Sequence, residues 1–120
     1  MNDNADREWA NKEGEYAALL EKELACIVEK LQQLGAIKVI LFGSYARGRA
    51  DLFTDLDLLV VLDSKLPFVE RTARLYGQLV PRVATDILAY TPEEWKAIQE
   101  RPFIKNALSE GKVLYEETRN

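Results

Sequence analysis

The chain has 120 residues, 48% of them hydrophobic, with a formal net charge of −4, one cysteine and no histidine. That apolar content excludes a disordered chain, and no apolar run approaches the roughly 20 residues needed to cross a membrane. The missing histidine removes Ser-His-Asp chemistry and most transition-metal sites. The lone Cys26 rules out an internal disulfide or a cysteine-built zinc site, and the negative charge argues against non-specific nucleic-acid binding through a basic surface.

One domain spanning residues 1–120 is the expectation for this length. Residues 1–11 are polar and acidic, lack the apolar core of a signal peptide and are expected to be flexible, so a cytoplasmic location follows. From about Lys12 to Leu34 the pattern is helical: Leu20, Leu24, Ile27, Leu31 and Leu34 recur at steps of four and three, and Gly35 ends the run. This seam is expected to pack on the domain's own core; pairing with another chain is the alternative. Cys26 falls inside the pattern and reads as a small core residue.

"IKVILF", residues 37–42, is a buried strand by its β-branched content. Gly43 and Ser44 follow, then a short helix carrying Arg47 and ending near Gly48. A second strand, "LDLLVVL", begins near Asp55. Pro67 opens a helix bearing Phe68, Leu75, Tyr76 and Leu79, which Pro81 ends. "VATDILAY" is a third strand and contains Asp86. Thr91, Pro92 and Glu94 form a capping-box helix start. A last helix from Pro102 to Ser109 stops at Gly111, and "KVLYE" adds a short strand.

Asp55 and Asp57 stand one residue apart at the mouth of the second apolar run. On a strand they share a face with Leu59 and Val61, while Leu56, Leu58 and Val60 turn away. Two neighbouring carboxylates repel. They are harmless if the strand end keeps them wet, and they are ligands if a divalent cation bridges them. With no imidazole in the chain, oxygen donors favour a hard cation such as Mg²⁺. Upstream, a strand followed by Gly-Ser and a helix presents backbone N–H groups to an anion. The two features together suit a metal-bound polyphosphate. If the third strand pairs beside the second, Asp86 reaches the same face; the alternative is a partly exposed edge residue. On the shared face it would ligate an ion or accept a proton in a two-metal displacement.

"GSYARGRADLFTDLDLLVV", residues 43–61, resembles the signature of the minimal nucleotidyltransferases of the DNA polymerase β superfamily. That pattern reads Gly-Ser, two residues, Arg-Gly, five residues, then Ser-Asp-x-Asp. Gly43, Ser44, Arg47, Gly48, Asp55 and Asp57 match it, and Thr54 replaces the usual serine while keeping the hydroxyl. The resemblance covers about residues 36–90 and includes the acidic strand at Asp86. It implies an α+β fold, with a small mixed sheet, helices packed on one side and a long N-terminal helix. It implies transfer of a nucleoside monophosphate, AMP from ATP foremost, to a hydroxyl with release of pyrophosphate. Gly43, Ser44 and Arg47 would hold the nucleotide. Asp55, Asp57 and Asp86 would be both catalytic and metal ligands, for two Mg²⁺ ions.

Arg49, Asp51 and Phe53 fall in the intervening loop, where polar residues are ordinary. Tyr45 reads as a packed helix residue, with base stacking as the alternative. Whether Lys65 and Arg71 reach the site stays open. The chain has no length for the acceptor-binding domains of larger relatives. The resemblance therefore implies a toxin–antitoxin pair, in which a small helical HEPN protein is both partner and acceptor. A small-molecule acceptor with a separate binding subunit, and a catalytically silent partner-binding module, are the alternatives. Self-association also stays open.

Overall fold

The computed structural model describes residues 3–118; Met1 and Asn2, part of the segment expected to be flexible, lie outside the described residues. Helix α1 runs over Asp3–Gln33, so it begins nine residues before the apolar seam does. Leu20, Glu23, Ile27 and Leu31 are its buried positions, spaced to make one stripe. Nothing described before Leu20 is buried. At about 1.5 Å per residue the helix is roughly 46 Å long, in a molecule measuring 58 × 29 × 27 Å. Leu34 lies past the helix and is exposed. Cys26 is exposed as well. It stands one position off the stripe marked by Ile27, which corrects its reading as a core residue.

Strands β1 (Ala36–Phe42), β2 (Leu56–Leu62), β3 (Thr85–Tyr90) and β4 (Lys112–Glu116) form one mixed sheet in the order β3-β2-β1-β4. β1 is antiparallel to both β2 and β4, whereas β2 and β3 are parallel. Between them lie α2 (Gly43–Ala46), α3 (Phe68–Leu79), α4 (Pro92–Ile98) and α5 (Pro102–Glu110).

The two central strands are buried on both faces, and alternate residues sort into two cores. Val39, Leu41, Leu56, Leu58 and Val60 pack with Leu20, Ile27, Leu75 and Leu79 of α1 and α3. Ile40, Leu59 and Val61 pack with Trp95, Ile98, Ile104 and Ala107 of α4 and α5. The mixed sheet and long helix agree with the fold class read from sequence. The expectation of helices on one side needs enlarging: the two long helices share one face, and the two short ones cover part of the other. The second core rests on Ile40, Leu59 and Val61; the polar positions of that face lie towards the strand ends, Lys38 paired with Val61 and Asp57 paired with Phe42. Among the described residues no helix is long and apolar enough to cross a membrane.

Several polar side chains tie the layers together. Buried Glu23 of α1 accepts a hydrogen bond from the Arg82 N–H (2.8 Å), ahead of β3. Lys30 donates to the Leu79 carbonyl at the end of α3. Arg71 is 4% exposed and donates to the Ala89 and Leu66 carbonyls and to both oxygens of Glu94. Glu94 also closes the capping box with Thr91, which is why its carboxyl lies below the usual range: the Arg71 hydrogen bond is the main cause and the Thr91 N–H the next. Replacing Arg71 with Leu orphans two carbonyls and strips Glu94 of its partner. Urea unfolding at pH 7 should show a loss of about 2–4 kcal/mol; a loss under about 0.5 kcal/mol would mean the network is dispensable.

Candidate active site

The chain turns sharply where β1 ends. Gly43 has φ +75°, and a Cβ on it would collide with the Asp57 carboxylate. The residue must be glycine on both counts, since the left-handed conformation penalises a side chain and the space is taken. The backbone of the Gly-Ser turn therefore lies directly against Asp57. Helix α2 is a single turn whose N-terminus receives no side-chain cap. Its contribution to an anion site is local N–H groups, not the macrodipole of a long helix. Among the described residues the half-buried Ser44 has no side-chain hydrogen bond. Arg47 follows α2 and pairs with Glu110 at the end of α5 (2.9 Å).

Asp57 is the second residue of β2, and its partner across the parallel ladder is Asp86. In-register residues of parallel strands point the same way, so the two carboxylates lie side by side on the face that carries α4 and α5. Asp55 precedes the strand by one residue and is exposed. Burial is the chief cause that pushes the Asp57 carboxyl up to about 6. The charge of Asp86 and a shared hydrogen bond with it come next, then the charge of Asp55, with Arg47 opposing weakly. The sequence suggested that Asp55 and Asp57 are the strained pair. The across-strand neighbour weighs more.

The loop before Asp55 is fixed by its own side chains. Asp51 accepts from Arg49 Nε (2.6 Å) and from the Phe53 N–H (2.9 Å). The Thr54 hydroxyl accepts from the Asp51 N–H and bonds the Asp51 carboxylate. Thr54 is fully buried, and Tyr16 of α1 donates to its carbonyl (3.0 Å). Arg49 and Asp51 are thus scaffold, while Phe53 is left 76% exposed. Sequence reasoning missed Tyr16, Glu110 and Tyr76. Each acts across a separation of tens of residues or from another element, and no local spacing betrays such a contact. Lys65 and Arg71 do not approach the site. They line a cavity of about 380 Å³ with Leu34, Leu62 and Arg74, at the opposite end of β2, roughly 20 Å away at strand rise.

The donor set suits a hard cation: oxygens only, crowded and short of positive charge. Among the described residues no three such groups stand as a closed metal cage. An ion held by Asp57 with Asp55 or Asp86 would therefore complete its shell with water and phosphate oxygens, as Mg²⁺ commonly does.

The nucleotidyltransferase domain family matches residues 21–115, and the chain belongs to that family. It is a nucleotidyltransferase of α+β fold. A curated relative from Methanocaldococcus jannaschii, "Putative protein adenylyltransferase MJ0604", is 32% identical over 83 residues, 65% of this chain and 77% of the relative. A solved structure described as a "putative minimal nucleotidyltransferase" is 26% identical with a TM-score of 0.50, covering 82% of this chain and 92% of that one. A crystal structure of a toxin–antitoxin with AMP-PNP shares the fold at 19% identity and a TM-score of 0.51, covering 78% and 73%.

The raised Asp57 pKa sets the sign of a pH effect. A carboxyl whose folded pKa exceeds its unfolded value of 3.8 favours folding when protonated, and that advantage fades as pH rises through about 6. Asp57→Asn should therefore raise the metal-free unfolding free energy at pH 7.5 by about 1–2 kcal/mol, after discounting for partial solvation. The gain should shrink towards pH 4. Equal gains at both pH values would show that charge is not the cause. Gly43→Ala should cost about 1–3 kcal/mol and lower turnover at least 100-fold by displacing Asp57; near-normal kinetics would refute the close packing.

Proposed function

We propose that this chain is a Mg²⁺-dependent protein adenylyltransferase, the antitoxin of a pair whose other member is a small helical HEPN toxin. The observation that carries the reading is the register of Asp57 with Asp86 directly behind the Gly43 turn. It gathers a phosphate-binding backbone and two carboxylates at one sheet end. The name of the archaeal relative supports AMP transfer to protein. A cytoplasmic location suits ATP as the donor.

In this reading the N–H groups of Gly43 and Ser44 and the Ser44 hydroxyl hold the β- and γ-phosphates. Arg47 turns from Glu110 towards them. Asp55 and Asp57 hold the metal ions, with Asp86 as a further ligand. When bound, the ions neutralise phosphate charge and lower the barrier at both the attacking and leaving oxygens. The acceptor hydroxyl oxygen bonds to the α-phosphorus as the bond from that phosphorus to the bridging oxygen breaks. Pyrophosphate departs with those electrons. The hydroxyl proton passes to Asp86 or through it to water. Thr54 and Tyr16 keep Asp55 in place during the exchange.

ATP labelled on its α-phosphate, with Mg²⁺ and a lysate of the native host, tests this. The wild type should label one protein band. The Asp55→Asn, Asp57→Asn double variant should label it at least about 1000-fold more slowly, equivalent to ~4 kcal/mol of barrier, and EDTA should abolish labelling. A labelled small product without labelled protein would replace the protein acceptor with a small-molecule hydroxyl. Silence with all four labelled nucleotides would leave a binding module.

A further inference from the structure

β3 is an edge strand. Its inner side is satisfied by β2; the Leu56 N–H donates to the Ala84 carbonyl just before the strand starts. Backbone direction alternates along a strand, so Asp86 also turns its N–H and C=O towards β2. Thr85 and Ile87 turn theirs outward, where among the described residues no further strand pairs. Those two outward groups meet a single atom. The Tyr76 hydroxyl of α3 donates to the Thr85 carbonyl (2.6 Å) and accepts from the Ile87 N–H (2.9 Å). One phenol oxygen thus does for this three-residue stretch what a fifth strand would do. It clamps the residues on either side of the carboxylate that faces Asp57.

We propose that Tyr76 is the positioning residue for Asp86, holding the 85–87 backbone so that the carboxylate meets Asp57 at a fixed angle and separation. An unclamped edge strand frays from its exposed side, and small displacements of a reacting group are costly in rate. The phenol is the suitable group for the task. It donates and accepts at once, and its ring packs against the main core. Burial raises its own pKa, the Ile87 N–H opposes this, and the charges of Asp86 and Asp57 add to the rise, so it stays a neutral donor across the working pH range. Both bonding directions are spent on backbone, so it is not itself a proton shuttle. That Asp86 takes part in AMP transfer rests on the preceding reading; that Tyr76 fixes its direction does not.

Tyr76→Phe keeps the ring and removes the clamp. Tyr90→Phe, in the same strand but packed between the rings of Phe68 and Trp95, is the control. In metal-free, isotope-labelled protein, three-bond couplings from Asp86 Cγ to its backbone N and C′ read the χ1 distribution. The wild type and Tyr90→Phe should each hold one rotamer, and Tyr76→Phe should average among several. In the nucleotide assay Tyr76→Phe should lower kcat about tenfold with KM for ATP within about twofold, the pattern of a lost transition-state contact. A variant with a lower unfolding temperature but unchanged couplings would make Tyr76 merely structural and overturn the proposal. So would averaged couplings with undiminished turnover. If the wild type transfers nothing, the functional reading fails, and the couplings alone decide the case for Tyr76.

Discussion

Two like charges set side by side, Asp57 half-buried and Asp86 exposed at the sheet edge, govern this structure. Parallel pairing of β2 with β3 puts Asp57 against Asp86, and the Gly43 turn closes over one of them. Left alone, such a pair expels charge by binding a proton. Offered a cation and a phosphate, it can keep both charges. The cost of holding Asp57 charged in that place is one that a bound cation would relieve. Much of the surrounding structure serves to stop the two carboxylates from drifting apart.

The restraint comes from outside the motif. Tyr16 of α1 bonds the carbonyl of Thr54, next to Asp55, and Tyr76 of α3 grips both neighbours of Asp86. Glu23 and Lys30 of α1 hold the chain on either side of the bend into β3. The helices on the face away from the carboxylates thus reach through or around the sheet to fix them. On the other face α5 ends in Glu110, which occupies the arginine nearest the turn. The neighbourhoods of Asp55 and Asp86 and the side chain of Arg47 thus each have a separate support.

The sequence was legible where physics is local. The capping box at Thr91–Glu94, the proline start of α5 and the stripe of Leu20, Ile27 and Leu31 depend on neighbours within a turn or two. The Asp57 face with Leu59 and Val61 follows from strand alternation. Asp86 was recoverable because a lone carboxylate interrupts an apolar strand. The rest needed the third dimension. Cys26 missed the core by one step of helical rotation. Helix α1 extends nine residues before its apolar pattern, because a helix already nucleated adds polar turns at little cost. The second core under α4 and α5 was hidden because a run that is apolar at every position does not say how many faces are covered. Thr54 passed as a tolerated change from serine. It is instead a fully buried hub whose hydroxyl bonds both the backbone and the side chain of Asp51.

The Arg47–Glu110 pair spans 63 residues, and β4 reaches β1 over a still longer stretch. Contacts that distant close late, after local helices and the β1–β2 hairpin have formed. A chain still being synthesised can therefore assemble the Gly43 turn and the Asp55–Asp57 segment while Arg47 has no counter-charge from α5. The balance of the arginine beside the Gly43 turn thus depends on a residue from the far end of the chain, Glu110 of α5.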